Sequence, residues 1–117
     1  MILLLSSDLM FQSRISGAAR AAEKNFLVDR TVEKLVERVE SAHEVSLVLI
    51  DLTLASLDLA TAIARVHQSF GNCKVLCFGP HVDVDRLSLA QESGADVVLT
   101  RGQMDRDLVA IIQGVKG

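Results

Sequence analysis

Tryptophan and tyrosine are missing from this 117-residue chain and phenylalanine occurs four times, so it lacks the aromatic platform on which proteins stack bases or sugars. Aliphatic side chains must therefore build the core. The two cysteines, Cys73 and Cys77, are too few for a disulfide framework, and their spacing matches no zinc pattern. They read as buried free thiols. Basic residues are in the minority, 12 Lys and Arg against 15 Asp and Glu for a net charge of −3, and they are scattered. The electrostatic footprint of a nucleic-acid binder is absent. Apolar runs stop after four or five residues, far short of the ~20 that cross a bilayer. Met1 leads directly into Ile-Leu-Leu-Leu with no basic segment before it, unlike a signal peptide, so the expected compartment is the cytoplasm. Neither the dinucleotide fingerprint nor the Walker pattern occurs, which removes the usual support for nucleotide chemistry.

What is present is a chain half hydrophobic and 23% charged, long enough to bury a core as one domain over residues 1–117. Its hydrophobic period switches regularly. Ile2 to Leu5 is an unbroken apolar run, and Phe11, Ile15, Ala18, Ala19 and Ala22 then recur at helical spacing behind a cap at Ser7 or Asp8. Phe26 to Val28 reads as a strand, and Thr31 opens a helix with Val32, Leu35, Val36 and Val39 on one face. Strands at Leu47 to Ile50, Val75 to Phe78 and Val97 to Leu99 alternate with three further helices. The first carries Leu59, Ile63, Val66 and Phe70 and closes at Gly71-Asn72. The second runs from about Val82 to Ser93, and the third carries Leu108, Ile111, Ile112 and Val115. The order is (βα)5. Strands apolar throughout are covered on both faces, which predicts an α/β fold with a doubly wound, parallel five-stranded sheet of the flavodoxin type. Ligand sites in such folds lie beyond the strand C-termini, where Ser6, Ser7 and Asp8, then Asp51, Gly79 and Pro80, and finally Thr100 and Arg101 are found.

Over its whole length the chain resembles the receiver domain of two-component response regulators. The segment from Leu49 through Asp51 to Asp58 is similar to the phosphoacceptor loop, with Asp51 in the acceptor place, and Ser93-Gly94-Ala95-Asp96 is similar to the turn before the fifth strand. Asp58 resembles the acidic residue that opens the third helix. The resemblance implies a phosphorylatable aspartate, an acidic pair that holds Mg2+, a hydroxyl and an aromatic that transmit the signal, and a Lys-Pro after strand five. The chain departs from that pattern at the chemistry. Ser6 and Ser7 stand in place of the acidic pair, with Asp8 one residue on. Gly79 replaces the hydroxyl, Val98 the aromatic, and Arg101-Gly102 the Lys-Pro. Mg2+ prefers carboxylate oxygens in octahedral array, so two hydroxyls are poor replacements.

The reading is a non-enzymatic pseudo-receiver, with no metal and no cofactor, acting as a protein-interaction module in two-component-type signal transduction and independent of aspartyl phosphorylation. Arg101 is expected either to clamp Asp51 with its planar fork or to point to solvent while Asp51 caps the loop after strand three. The sequence ends at Gly117 just past the last helix, so the expectation is either a stand-alone module or a domain cut from a longer protein. Its partner, a signalling protein or a second copy, is placed on helix four, strand five and helix five, which carry Asp83, Asp85, Arg86, Gln91, Glu92, Arg106 and Asp107. The alternatives are a receiver still phosphorylated on Asp51 in a phosphorelay, and a small-ligand or cofactor module on the same architecture. Met10, Phe11 and Met104 read as packing residues, and His81 as a surface loop histidine.

Overall fold

The computed structural model describes residues 1–54 and 57–114. The elements alternate as β1 (Ile2–Leu5), α1 (Leu9–Ala21), β2 (Phe26–Asp29), α2 (Val32–Arg38), β3 (Leu47–Asp51), α3 (Leu59–Phe70), β4 (Lys74–Gly79), α4 (Val84–Glu92), β5 (Val97–Thr100) and α5 (Arg101–Gln113). All four strand pairings are parallel and the sheet order is β2-β1-β3-β4-β5. The order reverses direction between β1 and β3, which puts the crevice of the doubly wound fold at their C-terminal ends.

The side-chain period of two divides the core into halves. Leu3, Leu5, Val48, Ile50, Val75 and Cys77 face α2, α3 and α4, where Leu35, Ile63, Val66 and Phe70 receive them. Ile2, Leu4, Leu47, Leu49, Leu76 and Phe78 face α1 and α5, against Phe11, Ile15, Met104, Leu108 and Ile112. That is why the inner strands read as continuous apolar runs. Asp51 continues the Leu47, Leu49 parity and pairs in register with Phe78.

Side chains set where the helices begin. Asp8 accepts from the Met10 and Phe11 amides, Thr31 from Lys34, Asp58 from Thr61 and Asp83 from Arg86. Because Asp83 is a cap, α4 starts at Val84 rather than at Val82. At Thr100 a full capping box with Gln103 starts α5 with no intervening loop. β3, β4 and β5 run one residue further than their apolar runs, since Asp51, Gly79 and Thr100 continue the ladder. A short 3-10 turn at Ala42–Glu44, which the apolar pattern does not signal, joins α2 to β3. Gly71 closes α3 with a positive φ of 68°. Ala55 and Ser56, expected in the segment similar to a phosphoacceptor loop, and Val115, expected in the last helical stripe, lie outside the described residues.

Two packing expectations divide. Phe11 and Met104 are buried, but Met10 is 81% exposed, because the Asp8 cap turns the first residues of α1 away from the core. Both cysteines are free and buried, and burial pushes the Cys77 thiol up to about 12.

Candidate functional site

Asp51 is fully buried at the end of β3. An aspartate there is costly to bury unless its lone pairs are filled, and three donors from this chain fill them. The Ser6 hydroxyl donates to Oδ2 at 2.7 Å. The Thr53 amide and hydroxyl both donate to Oδ1, at 2.9 and 2.6 Å. Ser6 is itself only 2% exposed, and its Oγ also accepts the Asp8 amide at 3.1 Å. The first residue after β1 and the second after β3 are thus tied to one carboxylate across the crevice.

Arg101 is not part of that arrangement. The expected clamp on Asp51 is corrected: the Arg101 guanidinium donates to Asp8 Oδ2 at 2.7 Å and lies 4.6 Å above the Phe11 ring, which stacks on Phe78 with centroids 4.7 Å apart. Hydroxyls already occupy the Asp51 oxygens, whereas Asp8 offers a free oxygen at the mouth of the crevice beside an aromatic face. A cation over such a face gains from the ring quadrupole. Asp8 consequently does two jobs, since its other oxygen caps α1. The Arg101 hydrogen bond, followed by the Phe11 amide, holds its carboxyl below the ordinary aspartate value.

The other positions are spread around this pair. Ser7 is exposed and faces a polar cleft of about 330 Å3 that Gln12, Arg30 and Lys34 also line. Gly79 is buried, and a Cβ there would approach the Leu52 Cβ to 3.0 Å, so the Leu52 side chain fills the space a hydroxyl residue would need. Val98 is half-buried opposite Cys77. His81 is exposed on the loop after β4.

Mg2+, which the resemblance implies, does not fit this donor set. Among the described residues no group of three or more His, Cys, Asp or Glu side chains is placed to hold a metal ion. Asp8, the carboxylate that follows β1, accepts from the Met10 and Phe11 amides and from Arg101. Hydroxyls are weak ligands for a hard divalent ion.

Two residues escaped the reading of the sequence. Thr53 completes the Asp51 shell, and Asp-x-Thr is the pattern of a carboxylate bonding the backbone two residues on, a local turn signal. Arg86, expected on the outer surface of α4, turns inward and reaches the loop after β3, donating from Nε to the Leu52 carbonyl at 3.3 Å. No local sequence pattern announces that contact.

No known sequence family matches the chain, and no curated protein does. Solved structures do. A response regulator receiver domain protein from Clostridium thermocellum superposes with a TM-score of 0.75 at 19% identity, covering 97% of this chain and 90% of that one. The fold is the receiver fold. The receiver domain of the sensor histidine kinase PA1611 from Pseudomonas aeruginosa, a structure with magnesium coordinated in its active-site cleft, matches at 0.72 and 17% identity over 97% of this chain and 93% of that one. The beryllofluoride-activated NtrC4 receiver domain dimer matches at 0.71 and 17% identity over 94% and 91%. Within this receiver fold Asp51 ends β3, and the Ser6 and Thr53 hydroxyls donate to its carboxylate.

Proposed function

We propose that the protein acts as a pseudo-receiver, a non-enzymatic interaction module of two-component-type signalling in the cytoplasm that works without phosphorylation of Asp51. The observation that carries this reading is the Asp51 carboxylate itself, fully buried with three intramolecular donors on its two oxygens. A phosphodonor must reach an oxygen of that group, and reaching it means breaking bonds that hold two loops together. Gly79 and Val98 also lack the hydroxyl and ring with which receivers are thought to pass the signal on.

The proposed working surface is α4, β5 and α5. Val84 is 63% exposed there and borders a shallow groove with Leu87, Ser88, Gln91 and Gln103. Charges of both signs, among them Asp85, Glu92 and Arg106, are exposed on α4 and α5 and can pair across a two-fold axis with a second copy or with a signalling partner. Arg86 drops out of that set because it faces inward, and the Arg106 fork is already engaged by Asp107 at 3.1 and 3.2 Å. Sedimentation at two salt concentrations, with and without beryllofluoride, tests the reading on the parent and on Val84→Glu and Arg106→Glu. Association that falls with salt and with either variant, and ignores beryllofluoride, is the expected result. A monomer under every condition, together with variants that lose no partner in a pull-down from the source cells, would overturn it.

A further inference from the structure

At the opposite end of the sheet from Asp51, where β3 and β4 start, the fold leaves a cavity of about 570 Å3. Its floor is one face of three strands. Leu47, Leu76, Val97 and Leu99 belong to the half of the core that packs on α1 and α5, and the register sets Leu76 beside Val97. Its roof is the flank of α5. That helix sinks Met104, Leu108 and Ile112 into the core, while the row lining the cavity carries Asp107, Ala110 and Gly114, three and four residues apart on one face. Ala110 and Gly114 are too small to reach the sheet, and β5 is an edge strand. Val97, Leu99 and Ile111 are therefore left half-buried around the space.

The polar groups stand at its two ends. Asn72 and Lys74 are exposed where β4 begins. The Lys74 ammonium has no ion pair or side-chain hydrogen bond among the described residues. Asp107 lies at the other end, in the second turn of α5, and the Arg106 fork already holds both of its oxygens. The one unmatched charge lining the space is thus positive, and it sits at the end where the strands start.

We infer that this cavity binds an unbranched, medium-chain aliphatic carboxylate, with the acid group at Lys74 and the chain lying between β5 and α5. The volume falls in the range of about 300–1,000 Å3 common to small-molecule sites, which are mostly apolar with a few placed polar groups. Lys74 attracts a carboxylate and repels an amine. Asp107 at the far end opposes the reversed orientation. No aromatic side chain lines the cavity among the described residues, so a flat ring finds no face to stack on, whereas a flexible chain is held by aliphatic walls alone. The site lies on the α5 side of β5, and the groove beside Val84 lies on the α4 side. The inference therefore does not rest on the proposed association.

Titration of the full chain with hexanoate, octanoate and decanoate, followed by amide NMR, tests it. Octanoate should give saturable shifts at millimolar concentration centred on Leu76, Val97, Leu99 and Ile111, with Ser6, Asp51 and Thr53 unmoved. Affinity should rise about three- to fourfold per added methylene, the effect of burying each CH2. Lys74→Gln, a change at an exposed position, should weaken octanoate about fivefold, the worth of one charge pair near water, and leave 1-octanol unchanged. Ala110→Leu, also exposed in the parent, fills the space and should weaken both ligands. Shifts that never saturate or spread over the whole sheet, affinity that ignores chain length, or octanoate binding indifferent to either variant would overturn the site.

Discussion

At Asp51 the energetic question is how a carboxylate survives complete burial. Three donors answer it, and they are not equivalent. Among the described residues Oδ2 accepts from Ser6 alone, while Oδ1 accepts from two groups of Thr53. Ser6→Ala therefore strips one oxygen of its only side-chain donor and also removes the acceptor of the Asp8 amide. The expected loss is about 1–3 kcal/mol, the usual cost of leaving a buried polar group unmade. Asp51→Asn should cost about 1 kcal/mol or less, because its carbonyl can keep both Thr53 donors while its amide faces a Ser6 oxygen able to accept. Urea denaturation of both variants measures the ordering, and a Ser6→Ala stability within ~0.5 kcal/mol of the parent would contradict it. The place of Asp51 was legible from its position after the third strand. The company it keeps was less so, since the fork of Arg101 suits a carboxylate and only the folded chain shows that Asp8, not Asp51, receives it.

Between elements, the contact of α1 with α5 turns on the same Asp8. Its carboxyl sits below the ordinary aspartate value of about 3.9, first through Arg101 and next through the Phe11 amide. A folded value below the unfolded one means that this stabilisation is complete above the unfolded pKa and is lost as pH falls through the folded pKa. Arg101→Gln should raise the Asp8 pKa without restoring it fully, since the Phe11 and Met10 amides still donate. A carboxyl NMR titration reads it, and an unchanged Asp8 value would contradict the pairing. The elements themselves were readable because parallel strands buried on both faces must be apolar throughout. Their ends were not, because Asp51, Gly79 and Thr100 join the ladder through backbone pairing that side-chain polarity hides. The capping box at Thr100 and Gln103 was present in the sequence, and it explains why α5 begins at Arg101 without a loop.

Across the whole molecule, the receiver fold brings the β1, β3 and β5 ends to one crevice, where the Ser6 and Thr53 hydroxyls donate to Asp51. The order β2-β1-β3-β4-β5 follows from right-handed crossovers between parallel strands, so the gathering of Ser6, Asp51 and Arg101 at one edge could be foreseen. Which side chains meet inside that edge depends on tertiary placement, as the inward turn of Arg86 shows. The most direct test of the account is a titration with Mg2+ and beryllofluoride, followed through the amide resonances of Ser6, Asp51 and Thr53. The account predicts no saturable shift in the parent at millimolar metal, and recovery of metal binding when Ser6→Asp and Ser7→Asp restore the acidic pair. Saturable shifts centred on Asp51 in the unaltered protein would contradict it.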